Sequence, residues 1–525
     1  MGPTTRTCKL VGALGLVLAP APAFADTSGL AAYLRARVAD SRGQVARAAA
    51  DYARALDGSP DAAVAIRAYR EALAAGDLDL AARAHAILDK AGVAPEDATL
   101  LSVARAARSG DAGGAEAGAA KLDRTRLKIL SPVIRAWAAD ARGADPSPAL
   151  DTAAEPVARR LATEARVLLL IARERENEGL ALLRSLGGVN ASLDLRIAAV
   201  QLLGERETAR PLFPGDQTAV GDQLARAKAE PSLGFGVSRL FSRVASDLAG
   251  GEGPNPLSIT LTRAALLAEP GNDRARLLLA NALARDGATD RALAVLGEIG
   301  PASPFADAAS LARITVLTAA DRRPEALADA RRLAAQEGSG RNDWQTYADL
   351  LVDAGRPAEA VPFYRRIAGG DGAEEWVVWM QLGGALEQAG YWPEARAALA
   401  RAVELAPNEP LALNYLAYAR LTRGEAKRDS ARMLERAYKL APGNASIADS
   451  LGWAYHLTGD TPRALPLLES AAQAEPGNAE IAEHLGDAYW TLGRRYEARY
   501  AWKAAAILAD AKDRGRLSTK LARGL

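Results

Sequence analysis

The chain of 525 residues holds one cysteine, three histidines, three methionines and six phenylalanines, and only 5% of it is aromatic. A single thiol excludes a disulfide scaffold, a cysteine-rich metal site and a redox CxxC pair. Three histidines leave little material for a zinc or iron centre. An excess of one charge is missing too: 65 Lys+Arg stand against 64 Asp+Glu. That balance argues against nucleic acid as a partner, because a nucleic-acid binder carries a basic excess. Beyond the first 25 residues no apolar run is long enough for a transmembrane segment, which takes roughly twenty residues. No GxSxG, Walker A, strand-borne GxGxxG, HExxH or EF-hand pattern occurs, so the sequence predicts no catalytic residue, no cofactor and no metal.

The first 25 residues have the layout of an export signal. Arg6 and Lys9 form a positive start, Leu10 to Ala19 an apolar stretch, and Ala23-Phe24-Ala25 a small-x-small junction before Asp26. About ten apolar residues are too few to cross a bilayer. Cys8 precedes the apolar stretch, whereas a lipoprotein signal needs its cysteine after it. Cleavage after Ala25 would therefore leave a mature chain without thiols, and the expected location is the periplasm.

What the chain has in abundance is periodicity. Leu382-Gly383 with Ala395, Leu451-Gly452 with Ala464, and Leu485-Gly486 with Ala498 repeat one frame, and Pro407, Pro442 and Pro476 close successive units. Aligned on these landmarks, units begin at Asp273, Asp307, Arg341, Trp376, Pro410, Ala445 and Ala479, in steps of 34 or 35 residues. Small residues let two helix backbones approach, large ones fill the space beside them, and proline ends a helix because it lacks an amide donor. Ala354-Gly355-Arg356-Pro357, Thr458-Gly459-Asp460 and Leu492-Gly493-Arg494 supply turns between the helices. Weaker traces of the frame begin near Gly29, Ala63 and Arg239. Between them Ser185 to Asn190 and Arg210 to Asp216 read as loops.

This frame resembles the tetratricopeptide repeat, a 34-residue helix–turn–helix with W-x2-L-G-x2-Y, A-x3-F and P. The unit at Ala445 carries Leu451, Gly452, Tyr455, Ala464, Leu468, Ala471 and Pro476 in the matching places, and the next carries Leu485, Gly486, Tyr489, Ala498, Trp502 and Ala505. The resemblance is specific over the C-terminal 290 residues or so and loose before them. It implies an all-α fold, a right-handed α-solenoid of tandem helical hairpins. The expected organisation is a signal peptide (1–25), N-terminal repeats (26–97), degenerate hairpins (98–238), a C-terminal array (239–509) and a polar capping segment (510–525).

Seven of the eight tryptophans lie after residue 340. In the repeat family the second, fifth, ninth and twelfth residues of the first helix line a concave groove. Carried over to the last three units, that rule proposes Asn414, Tyr418, Asp449, Trp453, His456, Glu483, Asp487 and Trp490 as groove residues. Aromatics among carboxylates suit an extended peptide or a helix. Family members that clamp a C-terminal carboxylate use Lys, Arg and Asn there. Here only Asn414 matches, and Asp449, Glu480, Glu483 and Asp487 replace the cations, so the expected partner is a basic or apolar segment of a protein or peptide. His456 and His484 read as packing or surface residues, and Glu374-Glu375 and Glu480/Glu483 as solvated acids. The resemblance thus implies a non-catalytic periplasmic scaffold or adaptor. The alternatives are a regulatory or substrate-delivery subunit of an envelope peptidase or cell-wall hydrolase, and an enzyme concealed in residues 98–238, which contain no histidine.

Overall fold

A computed structural model of the chain describes residues 27–251 and 253–525. The export-signal segment, with Cys8 and the Ala25 junction, lies outside the described residues. Every regular element among the described residues is helical, 29 α-helices and four short 3-10 turns. No described helix is long and apolar enough to cross a membrane. The chain divides into two compact units, one ending at Asp329 and the other running from Ala330 to Leu525. The division falls within the stretch 239–509.

The first unit is a stack of antiparallel hairpins. It opens with α1 (Thr27–Asp40) on α2 (Val45–Gly58), α3 (Ala62–Ala75) on α4 (Leu78–Lys90) and α5 (Ala98–Arg108) on α6 (Ala112–Leu122). The eroded region supplies α7 (Ser131–Ala141), α8 (Ser147–Asp151), the pair α9 (Pro156–Ala172) and α10 (Glu176–Ser185), α11 (Leu193–Leu203) and α12 (Thr218–Arg226). Next come α13 (Leu233–Leu248) on α14 (Pro256–Ala268), α15 (Asp273–Arg285) on α16 (Thr289–Gly297), then α17 (Ala306–Ala319) and α18 (Arg323–Ala334), which contains the division. The Arg210 to Asp216 stretch is built of short 3-10 turns.

In this unit α14 also lies against α3 and α5, far away in sequence. Thr260 donates to Asp97 at 2.6 Å, and the buried Arg263 guanidinium donates to the Leu73 and Ala74 carbonyls at 2.7 and 2.8 Å. Those carbonyls lie in the last turn of α3, where Leu73's has only the Gly76 amide at 3.3 Å, so the cation completes their bonding and meets the negative end of the helix dipole. Trp137, the one tryptophan outside the C-terminal half, is fully buried against Gly236. A Cβ on Gly236 would stand 2.0 Å from the indole.

The second unit follows the repeat frame closely. Its hairpins are α19 (Arg341–Asp353) with α20 (Pro357–Ala368), α21 (Trp376–Gln388) with α22 (Trp392–Leu405), α23 (Pro410–Thr422) with α24 (Lys427–Leu440), α25 (Ala445–Leu457) with α26 (Thr461–Ala474) and α27 (Ala479–Thr491) with α28 (Arg495–Leu508). A further helix, α29 (Ala511–Arg523), covers the end and occupies the capping segment. The first helices of all five hairpins begin on the residues at which the sequence frame starts its units. Gly459 and Gly493 turn their hairpins with φ of 91° and 79°, a left-handed conformation that side chains rarely adopt.

The Gly of the Leu-Gly pair is a packing requirement. Cβ atoms on Gly383, Gly452 and Gly486 would lie 2.6 Å from Leu399 Cγ, 2.8 Å from Leu468 Cγ and 2.4 Å from Trp502 Cδ1. The frame's tyrosines tie neighbouring hairpins together. Tyr455 donates to Glu435 at 2.8 Å and Tyr489 to Glu469 at 2.7 Å, each under an arginine (Arg463, Arg494).

Glycine to alanine within a helix gains about 0.5–1 kcal/mol from lower backbone entropy, whereas overpacking costs about 1–3 kcal/mol. Gly486→Ala should therefore lower the melting temperature, because the indole ring has no flexible end to move aside. Gly515→Ala, in α29 with nothing within 4 Å of the added Cβ, should raise it or leave it unchanged. Thermal melts of the two variants check both signs.

Candidate functional site

The first helices of the last repeats begin on strong caps that fix their register. Pro410 stands in the first turn of α23, Asn444 accepts the Ile447 amide at 3.1 Å, and Asn478 accepts those of Glu480 and Ile481. With the registers set, α23, α25 and α27 bring Tyr418, Asp449, Trp453, His456, Glu483 and Asp487 into one neighbourhood. Tyr418 donates to Glu480, and its ring centroid is 6.4 Å from that of His484. His484 Nδ1 lies 2.9 Å from Asp449 Oδ2, and both residues are buried. Trp453 stacks on His484 at 4.0 Å and on His456 at 5.0 Å between ring centroids. His456 Nδ1 in turn lies 3.2 Å from Thr461 Oγ1.

The carboxylates of this surface are not bare. Lys520 of α29 donates to Glu483 at 2.6 Å and to both Asp487 oxygens at 2.6 and 2.8 Å, and Arg516 pairs with Glu483. Trp502 Nε1 also donates to Asp487 Oδ1, at 2.8 Å. Side chains of Glu483 and Asp487 are 8% exposed, which corrects the expectation that Glu483 is a solvated acid. The sequence reading took His484 for a packing or surface residue, and it is buried and stacked on Trp453; that reading missed Arg516 and Lys520. A signal for the last two was present: Glu483 and Asp487 stand four apart on one helix and Arg516 and Lys520 four apart on another, so their charges match turn for turn.

The two remaining groove candidates sit apart from this cluster. Asn414 is half-buried, and its Oδ1 finds no partner among the described residues. Trp490 packs on Trp502 at 5.3 Å, under Arg495, with Gly524 of the chain end against its ring. Beside α27 a cleft of about 890 Å³ stays open between Trp453, Glu480, Glu483, His484 and Asp487 on one wall and α29 on the other. Among the described residues no group of three or more His, Cys, Asp or Glu is placed to hold a metal ion.

The two histidines against Trp453 hold opposite protonation tendencies. Burial disfavours a charged His484, but the adjacent Asp449 carboxylate outweighs it and lifts the imidazole above its usual value. Burial also dominates at His456 and lowers it, despite nearby Asp487. A histidine whose folded pKa is raised stabilises the fold when protonated. The contribution of His484 is therefore complete below about pH 6.5 and is lost as the pH rises through the folded value. His484→Gln should cost about 1–3 kcal/mol at mildly acidic pH, and its deficit against wild type should shrink toward alkaline pH. Denaturant unfolding across that range measures it; a deficit independent of pH would mean that His484 is uncharged in the fold.

Residues 376–421, which span α21 and α22 and most of α23, match the tetratricopeptide-repeat family model. No curated protein matches the chain. Solved structures resemble about a third of it. MamA from Desulfovibrio magneticus RS-1 (residues 41 to its end) has 19% identity and a TM-score of 0.28 over 32% of this chain and 94% of its own. YrrB, described as a TPR protein with an unusual peptide-binding site, has 16% identity and a TM-score of 0.28 over 37% and 98%. The thermophilic TPR protein TTC0263 from Thermus thermophilus has 20% identity and a TM-score of 0.32 over 35% and 100%. The family match identifies a tetratricopeptide repeat at residues 376–421, and the 34- to 35-residue frame with the five hairpins built on it extends the same repeat pattern across the second unit.

Proposed function

We propose that the protein is a non-catalytic scaffold or adaptor of the periplasm whose C-terminal groove binds a basic helical segment of a partner protein. One observation carries this: the groove already accepts such a segment from its own chain. Arg516 and Lys520, one turn apart on α29, meet Glu483 and Asp487, one turn apart on α27. A partner helix with the same spacing of cations would find the same acceptors, by entering the cleft beside α29 or by taking its place. Trp453 on the cleft wall offers the flat apolar area on which a binding hot spot is built. The periplasmic address rests on the charged, apolar and small-residue order of residues 1–25. The internal pairing of Asp449, Glu483 and Asp487 leaves none of them placed as a free acid or base, which favours binding over catalysis.

The test is cross-linked affinity capture from the native cell envelope, with wild-type protein and with a Trp453→Ala, Trp490→Ala variant that keeps a cooperative melt. The expected outcome is a partner captured by wild type and lost, at least tenfold, with the variant, as for truncation of a hot-spot aromatic at about 2 kcal/mol or more. An identical capture with both proteins would remove the groove from consideration.

A further inference from the structure

The repeats of the second unit provide an internal control for their own surface. In the second helix of each hairpin one fully buried small residue faces the first helix: Ala360, Ala395, Ser430, Ala464 and Ala498. Counted from it, the residues two before, two after and nine after point away from the hairpin and are exposed in every repeat. In the first four hairpins these twelve residues are all small, proline, charged or amide. Examples are Arg428, Arg432 and Lys439 in α24 and Pro462, Pro466 and Gln473 in α26. In α28 the three positions hold Tyr496, Tyr500 and Ile507, exposed by 83%, 74% and 74%. Since four hairpins fold without a large apolar group there, packing within the array does not call for one.

The same face carries cations and no opposing acid. Lys503 stands among the apolar residues, Arg495 and Arg499 border them with their guanidiniums over the Trp490 ring, all three are exposed, and none forms an ion pair with a carboxylate among the described residues. The one acid of α28, Glu497, is held by Arg494 at 3.0 Å. Residues 492–525 contain nine Lys+Arg against three Asp+Glu, in a chain whose net charge is +1. Arg494, Arg516 and Lys520 among these are paired with carboxylates, and two phenols and a branched aliphatic side chain stand out among the remaining cations.

We propose that this face of α28 docks on a membrane surface of anionic phospholipid. Tyrosine takes up the headgroup level of a bilayer, an aliphatic side chain inserts a few ångströms deeper, and Lys and Arg pair with lipid phosphate. A second copy of the chain is the poorer occupant. A helix of 14 residues is about 21 Å long and offers roughly 200 Å² on one face, whereas a stable interface takes about 800 Å² from each partner. Two such cationic faces would also repel each other. A lipid surface has no such area threshold and carries the complementary charge. The three apolar side chains of this docking face are not among the groove residues, which lie on other helices.

Co-sedimentation of the full chain with vesicles tests it. Binding is expected to phosphatidylglycerol–phosphatidylcholine vesicles, weakened by salt, and not to phosphatidylcholine alone. Tyr496→Ser, Tyr500→Ser and Ile507→Ser together should lower it by at least about tenfold without changing the melt, because all three side chains already face solvent. Lys503→Gln should lower it by about fivefold. Val157→Ser, at an exposed apolar residue in the first unit, should leave it unchanged. Equal binding to neutral vesicles, no binding to either kind, or full binding by the triple variant would overturn the proposal. So would a concentration-dependent dimer in sedimentation that the triple variant abolishes, which would assign the face to a second copy.

Discussion

Gly486 has no room for a Cβ because the Trp502 ring fills the space in front of it, and that contact sets the distance between α27 and α28. At Gly383 and Gly452 the same close approach is met by leucines, which serve packing alone. In the last repeat the large residue is an indole, and its N–H reaches Asp487, which also takes the Lys520 ammonium. Hairpin spacing, the orientation of a groove carboxylate and the seating of α29 therefore hang on one contact. An aliphatic residue at 502 would keep the spacing and lose the orientation.

The groove keeps several charges out of water, and it does so by pairing each. A buried carboxylate without a partner costs several kcal/mol, and a paired one costs little or nothing net. Asp449 has His484, Glu483 has Arg516 and Lys520, and Asp487 has Lys520 and the Trp502 N–H. Trp453, stacked on a histidine that favours protonation and another that resists it, supplies an apolar floor beside this polar row.

The frame of the second unit was legible because its marks are local. Gly and Ala where backbones meet, large residues opposite them and a proline after the second helix recur at one period, and five helices begin where that period places them. The repeat rule carried over from the resemblance named Tyr418, Asp449, Trp453, His456, Glu483 and Asp487, which the structure brings into one neighbourhood. What those side chains touch did not follow, because the partners are brought in by helix stacking: His484 is 35 residues from Asp449, and Lys520 is 37 from Glu483. Leu421, on the same row by spacing, is fully buried, since a leucine on a boundary position turns into the core when space is there. In the first unit α3 begins at Ala62, one residue before the expected start near Ala63, and the buried small residue of α4 is Ala81, five after Gly76 as Ala464 is five after Gly459. The meeting of α14 with α3 and α5 left no periodic mark at all, resting on single residues such as Arg263 and Thr260.

That meeting gives the first unit a different kind of cooperativity from the second. A linear stack whose hairpins touch only their neighbours behaves as a one-dimensional chain of coupled segments. It can fray from an end, and folding can start anywhere along it. The second unit comes close to that form, with α29 protecting its open end and one skip, from Tyr418 of α23 to Glu480 and His484 of α27. In the first unit, contacts that join residues 163 and 190 positions apart close a loop around the eroded helices. Loop closure of that length raises contact order and must be completed before its contacts stabilise anything, so such a unit assembles more slowly and comes apart as a whole.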